Sequence, residues 1–230
     1  MRFQAGRLSL SHLLNQSKFH FSIAHCNFKL RKIDSDRDEL FCKELAKKLK
    51  VEFYSKSFDV KKRCEEKKIS VQMAARELRY EWFEELLKEK KFDYLLTAHH
   101  RVDLTETVLL NLLKGSGIKG LKGIQEKRGH VVRPLLIFSK KEIQDFAKQK
   151  KIKFRFDKSN SEDKYQRNFL RLKVIPLLKK INPSVEETFY KNAIHFAEEN
   201  EILESYLDSR IKNISQNENG CISIPKNKLN

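Results

Sequence analysis

Apolar positions over the first 150 residues alternate between two spacings, which predicts strands and helices in turn. Phe19–His25 alternates with period two and reads as a strand ending at His25. Residues 35–49 put Leu40, Phe41, Leu45 and Leu49 on one stripe of a charged helix. Val51–Phe58 is predicted as a second strand, and Ser70–Lys90 as a long helix burying Met73, Leu78, Trp82, Phe83 and Leu86. A third strand, Phe92–Ala98, leads into a helix in which Val108–Leu113 is expected to be buried. Val131–Val132 forms a short strand, and Ser139-Lys140-Lys141-Glu142 is a capping box opening a helix to about Lys150. Alternating βα units imply a parallel sheet with right-handed crossovers, a doubly wound α/β core. After Pro183, Ser184-x-x-Glu187 caps a helix to about Ile211, whose Phe189, Ile194, Phe196, Leu203 and Leu207 suit docking elsewhere. Residues 215–220 read as a turn, and Cys221–Ile224 as a strand with no partner left in the chain. The expected organisation is an α/β domain over residues 1–182 and a helical segment, 183–230, leading toward a second domain.

The chemistry concentrates between Leu95 and Thr107. A short apolar strand runs into His99 and His100, and Asp103 and Glu106 follow at an i, i+3 spacing that puts both carboxylates on one side of a first helical turn. Helix starts at the carboxyl ends of parallel strands are where α/β proteins bind ligands, phosphates above all. Asp103-x-x-Glu106 is also a capping box, with Asp103 as the N-cap. A cap alone needs neither the histidines before it nor the basic Lys114-Gly115-Ser116-Gly117-Ile118-Lys119 loop after it.

Charge narrows the partners. Forty-eight Lys and Arg against 31 Asp and Glu leave a net +17, a surface that attracts polyanions such as RNA. A lysine-rich surface style would give the same count. No run approaches the roughly 20 apolar residues needed to span a bilayer, and the first residues lack a signal peptide's apolar centre, so a cytoplasmic protein is expected. Cys26, Cys42, Cys64 and Cys221 stand apart with no C-x-x-C pair, arguing against zinc and for reduced thiols.

Several blocks in order carry a resemblance. They are Ala24-His25-Cys26-Asn27 with Leu30-Arg31, Ser35-Asp36-Arg37-Asp38-Glu39, Ala74-Ala75-Arg76-Glu77-Leu78-Arg79-Tyr80, and Ala98-His99-His100 through Glu106-Thr107. Leu109-Leu110-Asn111-Leu112, Gly115-Ser116-Gly117, Arg133-Pro134-Leu135-Leu136, Asp157-x-Ser159-Asn160 and Arg167-Asn168-x-x-Arg171 with Pro176 follow. From about residue 12 to about residue 180 the chain resembles the tRNA(Ile)-lysidine synthetases, a family of N-type ATP pyrophosphatases with an adenine nucleotide alpha hydrolase-like fold. The resemblance implies ATP and Mg2+ as cofactors, and as partners free L-lysine, a CAU-anticodon tRNA(Ile) and a second copy of the chain in a homodimer. The implied reaction adenylates the wobble cytidine at C2, releasing pyrophosphate, after which the lysine ε-amine displaces AMP. Carried over by position, Asp103, Glu106 and Arg76 are the catalytic set, with Asp103 also the metal ligand. Ala24, His25, Asn27, His99, His100, Gly115 and Gly117 serve the nucleotide, and Lys114, Lys119, Arg133, Arg167 and Arg171 face tRNA. Arg171 could equally pair with Asp157, whereas Arg79 and Tyr80 read as structural.

Two departures stand out. The family opens with a strand and Ser-Gly-Gly-x-Asp-Ser, whose N–H groups cradle pyrophosphate, where this chain has Met1–Ser9 with a lone Gly6. Each preorganised donor lost from such a cradle costs about 10²–10³ in rate. Val102 stands where the family has the first of two adjacent aspartates. Truncation, frameshift or a misplaced start is the expected cause of the first departure, and a catalytically impaired, tRNA-binding remnant is the competing functional reading. A tRNA-thiolating ATP pyrophosphatase ranks below both, because no cysteine neighbours the histidine pair.

Overall fold

In a computed structural model, the structure describes residues 5–30, 33–152, 166–214, 216–218 and 221–223. The chain opens with α1 (Ala5–Gln16), β1 (Ile23–Asn27), α2 (Ile33–Leu49), β2 (Phe53–Ser57), α3 (Val60–Lys67) and α4 (Val71–Lys90). It continues with β3 (Leu95–Leu96), α5 (Arg101–Leu113), α6 (Ile118–Leu121), β4 (Lys127–Arg128), β5 (Val131–Val132) and α7 (Lys140–Gln149). The last elements are α8 (Gln166–Phe169), a π-helical turn (Leu170–Val174), α9 (Ile175–Ile181), α10 (Val185–Ile214), β6 (Gln216–Glu218) and β7 (Cys221–Ser223).

The expected parallel pairing is present in two parts. β1 runs parallel to β2, from Ile23 opposite Phe53 to Asn27 opposite Ser57. β3 runs parallel to β5, which also pairs with β4 in an antiparallel hairpin. No ladder joins the two parts among the described residues. Packing joins them instead. Ala5, Leu8 and Leu10 of α1 share one core cluster with Cys42 of α2 and Ile143 and Ala147 of α7, and Ile23, Phe53, Leu96 and Ala98 of both sheet parts lie against it. Period-two alternation sends Ala24 and Cys26 to the opposite face, where Trp82 and Leu86 of α4 pack with Tyr54 and Phe58. Helices therefore cover both faces, the doubly wound α/β arrangement expected from the sequence.

Local chemistry explains the element ends. Ser70 caps α4 by accepting from Met73 N–H, and Ser139 with Glu142 forms the expected capping box on α7. Asp59 caps α3, a helix too polar to show an apolar stripe in the sequence. In the run from α8 to α9, Pro176 falls at the start of α9 and cannot supply an N–H to the preceding turn. The helix widens to π geometry just before it, which sets Arg171 toward α5.

Several sequence expectations are corrected. The first strand starts at Ile23 rather than Phe19, which is exposed. On α2 the buried face is Ser35, Asp38, Cys42, Ala46 and Leu49, while Leu40 is 55 % exposed. Phe41 and Leu45 of the expected stripe do pack beside this face, and Cys42 on it meets His25 of β1 and the α1 cluster. On α4, Met73 is exposed and Ala74 and Ala75 take the interior. Leu112 and Leu113 of α5 are exposed, so burial stops at Val108. Phe189 and Ala193 of α10 pack on Leu104, Val108 and Leu136, whereas Ile194, Leu203 and Leu207 stay exposed. β7 does find a partner: it pairs antiparallel with β6, drawn from the expected turn.

Leu8 is 1 % exposed at the junction of the two sheet parts. Leu8→Ala is expected to cost about 2–5 kcal/mol in urea unfolding, and Leu40→Ala less than about 0.5 kcal/mol. Equal losses would restore Leu40 to the packed stripe.

Candidate functional site

The site forms where β1 and β3 deliver their carboxyl ends beside the start of α5. Asn27 ends β1 buried, its Nδ2 donating to Asp36 Oδ1 (2.9 Å) and Glu39 Oε2 (2.7 Å) while its Oδ1 accepts from Lys29 N–H (3.0 Å). These bonds make Asn27 the anchor between β1 and α2. His25 is buried with Nδ1 3.4 Å from Cys42 Sγ, and burial lowers its pKa below the usual histidine value. The Thr97 hydroxyl meets His99 Nδ1 at 2.9 Å, and burial takes the His99 pKa down to about 4 against the pull of Asp103. His100, also lowered by burial, is the N-cap residue of α5. All three imidazoles are thus neutral at pH 7.

The capping box sits three residues earlier than the sequence reading placed it. His100 N–H donates to Asp103 Oδ2 (2.9 Å), so Asp103 is the third residue of the helix and not its N-cap. Glu106 is left free of capping, fully buried one turn further on. The spacing does bring the two acids together, around one guanidinium: Arg171 Nε donates to Glu106 Oε1 (2.5 Å) and its Nη2 to Asp103 Oδ1 (3.2 Å). Burial raises the Glu106 carboxyl pKa, with Arg171 pulling the other way. Glu106 Oε2 is buried without a hydrogen-bond partner, a lone pair aimed into the interior. Arg171, expected to face tRNA or to pair with Asp157, is the counter-ion of the acid pair, and Asp157 lies outside the described residues. Arg167 stands beside it, donating to Thr107 Oγ1 (3.2 Å).

Opposite the acids is a group of arginines. After burial, the Arg133, Arg7 and Arg76 charges act on His99 to lower its pKa. Arg76 stacks over Tyr80 (4.9 Å to the ring centroid), and Arg133 hydrogen-bonds Tyr80 and donates Nη1 to Gln125 O (2.6 Å). Arg133 Nε is buried with no acceptor. Arg79 lies over Phe28 (5.3 Å) and hydrogen-bonds Cys26. Arg7 is exposed; desolvation, and then the charge of Arg79, lowers its pKa. Four cations sharing a neighbourhood with one another and with neutral histidines form a field suited to an anion. Arg7 was missed in the sequence because it lies in the stretch that matches no motif, whereas Arg79 and Tyr80 stood in a matched block and were read as structural.

Other expected residues lie apart. Gly115 and Gly117 flank the far end of α5, about 18 Å along the helix from Arg101 at 1.5 Å per residue. Gly115 has φ +73°, a conformation glycine adopts at no steric cost, and forms the turn into α6. Lys114 ends α5, and Lys119 pairs with Glu204 of α10 (3.2 Å), both on the surface. Ala24 points to the α4 side of the sheet. For a metal, Asp103 does not fit as a resident ligand: one oxygen is held by His100 N–H and the other by Arg171. Nor do three His, Cys, Asp or Glu side chains cluster for an ion among the described residues.

Cys26 and Cys42 are buried, and burial pushes both thiols up to about 12, leaving them protonated and unreactive. No helix among the described residues is long and apolar enough to cross a membrane.

The profile of the PP-loop domain matches residues 7–178. The tRNA(Ile)-lysidine synthase of Parabacteroides distasonis is 45% identical over 173 residues, 75% of this chain and 40% of that protein. That of Bacteroides thetaiotaomicron is 39% identical, covering 89% of this chain and 48% of the relative, and that of Clostridium perfringens is 35% identical, covering 96% and 48%. The chain spans about half the length of the curated relatives it matches. Among solved structures, the U34-tRNA thiolase NcsA from Methanococcus maripaludis with its [4Fe-4S] cluster superposes with a TM-score of 0.67 at 15% identity, over 84% of this chain and 69% of that one. That likeness carries the fold.

Two measurements test the electrostatics. Because the folded His99 pKa (about 4) lies below its unfolded value, the unfolded chain binds more protons between them, so stability falls as pH drops from about 6.5 to about 4, by roughly 3 kcal/mol from this ring. His99→Gln is expected to flatten that part of a stability–pH curve; an unchanged curve would mean that the ring is solvated. Arg171→Met should cost about 3–5 kcal/mol by stranding buried Glu106. Glu106 then takes up a proton more readily folded than unfolded, so the variant should lose stability as pH rises above about 4.5. A penalty independent of pH would sink this account.

Proposed function

As the chain belongs to the PP-loop domain family, we propose that it carries the ATP-dependent step chemistry of a tRNA(Ile)-lysidine synthase. In this reading ATP adenylates the wobble cytidine of a CAU-anticodon tRNA, and the ε-amine of lysine displaces AMP. The carrying observation is the acid pair of α5, Asp103 and Glu106, closed over a single cationic side chain and facing a group of arginines. A carboxylate pair around one guanidinium is a receptor for a cation, and a lysine ammonium has the charge to take the place of Arg171. The arginines around His99 supply the complementary half, positive charge for a triphosphate brought in as its magnesium complex. While neutral, His99 and His100 add no positive charge of their own to that field. The identity with named lysidine synthases over most of this chain supports the same reaction. Thiol chemistry fits less well, since Cys26 and Cys42 are held protonated.

A second reading, a tRNA-binding remnant, is favoured by Val102. It is 5 % exposed, an apolar side chain packed in where the resembled family has an acid.

Transfer of labelled lysine onto tRNA(Ile) with ATP separates the two. Under the first reading the chain incorporates lysine, and Asp103→Asn lowers incorporation by at least about 100-fold while tRNA affinity stays within a few fold. Binding of tRNA with no incorporation by the unaltered chain would leave the remnant reading standing alone.

A further inference from the structure

A cavity of about 640 Å³ opens between the first turns of α5 and α7 and the corner joining α9 to α10. Its size falls within the range of ligand sites, and its walls include Arg101, Ser139, Lys140, Lys141, Arg171 and Lys179. Three of these cations stand where positive charge is least welcome. Arg101 is the first residue of α5, and Lys140 and Lys141 are the first two of α7, against the positive ends of both helix dipoles. None of the three has a carboxylate within ion-pair distance among the described residues. Arg101 Nε is buried with no acceptor, although its Nη2 donates to Ile137 O. The two acids that line the cavity are already engaged, Glu186 with Lys179 (2.5 Å) and Glu187 with Lys191 (2.9 Å). Arg101 lies over the Tyr190 ring and its charge reaches Glu142 and Glu187, yet three cations without a direct ion pair and two helix N-termini converge on one concave surface, an arrangement that an anion relieves.

We propose that this cavity holds backbone phosphate of the RNA substrate next to the acid pair, an assignment that rests on tRNA being what the chain acts upon. It is a different place from the arginine group around His99. The two adjoin through Arg171, which lines the cavity while its guanidinium holds Asp103 and Glu106. A polynucleotide with one phosphate in the cavity therefore has its neighbouring nucleotide within reach of the acids, whereas a free nucleotide bound at the strand ends does not need the cavity.

The test compares Lys140→Glu/Lys141→Glu with Lys61→Glu/Lys62→Glu, which makes the same charge change on exposed α3, in the full chain. Fluorescence anisotropy reads affinity for a labelled tRNA(Ile) transcript over a salt series, and separately for a fluorescent ATP analogue. Acids suit the first turn of a helix, so the α7 variant is expected to melt no lower than the parent. Its tRNA affinity should fall at least tenfold, and the slope of log K against log salt should shrink by about 1.4, two contacts at about 0.7 each for a single strand. ATP-analogue affinity should stay unchanged. Equal tRNA losses in both double variants would reduce the effect to net charge and overturn the site. Loss of ATP-analogue affinity instead would assign the cavity to nucleotide phosphate and overturn the RNA assignment. Parent chain that fails to bind tRNA at all would overturn the tRNA reading itself, whereas binding that survives Lys140→Glu/Lys141→Glu would overturn only this cavity.

Discussion

One buried ion triad, Arg171 between Asp103 and Glu106, constrains everything around it. A fully buried carboxylate is tolerated only with a partner, and here the partner comes from a helix 65 residues further along the chain. To bring that guanidinium to α5, the helix around it departs from α geometry, and Pro176 favours the departure by withholding an N–H. The same residue walls the basic cavity, so one side chain couples the acid pair, the C-terminal helices and the cationic surface. Arg167 reinforces the join through Thr107 on the adjacent turn of α5.

Around the triad, charges of both signs act on the buried ring of His99, Asp103 on one hand and Arg133, Arg7 and Arg76 on the other. Burial holds His25, His99 and His100 uncharged, which keeps the arginine side from acquiring still more positive charge at pH 7. Arg76 lies over the ring of Tyr80 and Arg79 over that of Phe28. Aromatic support holds a guanidinium in place without neutralising it, leaving its charge available to an incoming anion. On α2, Asp36 and Glu39 accept from the Asn27 amide and so tie that helix to the end of β1.

The fold was legible in the sequence wherever a periodicity was local: the alternation through Ala24 and Cys26, the Ser139 box, the long α4. The errors share one physical cause, contact with something distant. Leu40 outranks Cys42 in hydrophobicity, yet the path of α2 turns Cys42 toward His25 of β1 and the α1 cluster, with Phe41 and Leu45 beside it, and leaves Leu40 outside. The α5 cap was placed three residues late because both 100/103 and 103/106 have box spacing, and only the backbone path out of β3 decides which N–H is orphaned. The acid pair itself was readable as an i, i+3 couple. Its counter-ion was not, since no spacing rule links residue 106 to residue 171; the sequence reading gave Arg171 an acid partner in Asp157 instead. Arg7 was invisible for the opposite reason: it lies where the motif breaks off, so neither pattern nor likeness drew attention to it.

That position gives Arg7 its interest. In the resembled family a glycine-rich loop supplies N–H groups to pyrophosphate; here the equivalent stretch is already helical by Ala5, and its N–H groups beyond the first turn are committed to the helix. Gly6 serves packing, since a Cβ there would stand 3.4 Å from the Ala98 carbonyl oxygen, at the end of the strand that leads to the histidines. Close approach of α1 to that strand end is what carries Arg7 toward His99, Arg79 and Asp103. A side-chain cation can replace the charge of an N–H cradle but not its geometry: it attracts a phosphate without fixing which oxygen faces the nucleophile. The described site is accordingly better equipped to bind its anion than to orient it. Between binding and turnover, the arrangement around Arg7 bears on turnover, while the triad at Arg171 bears on whether the site exists at all.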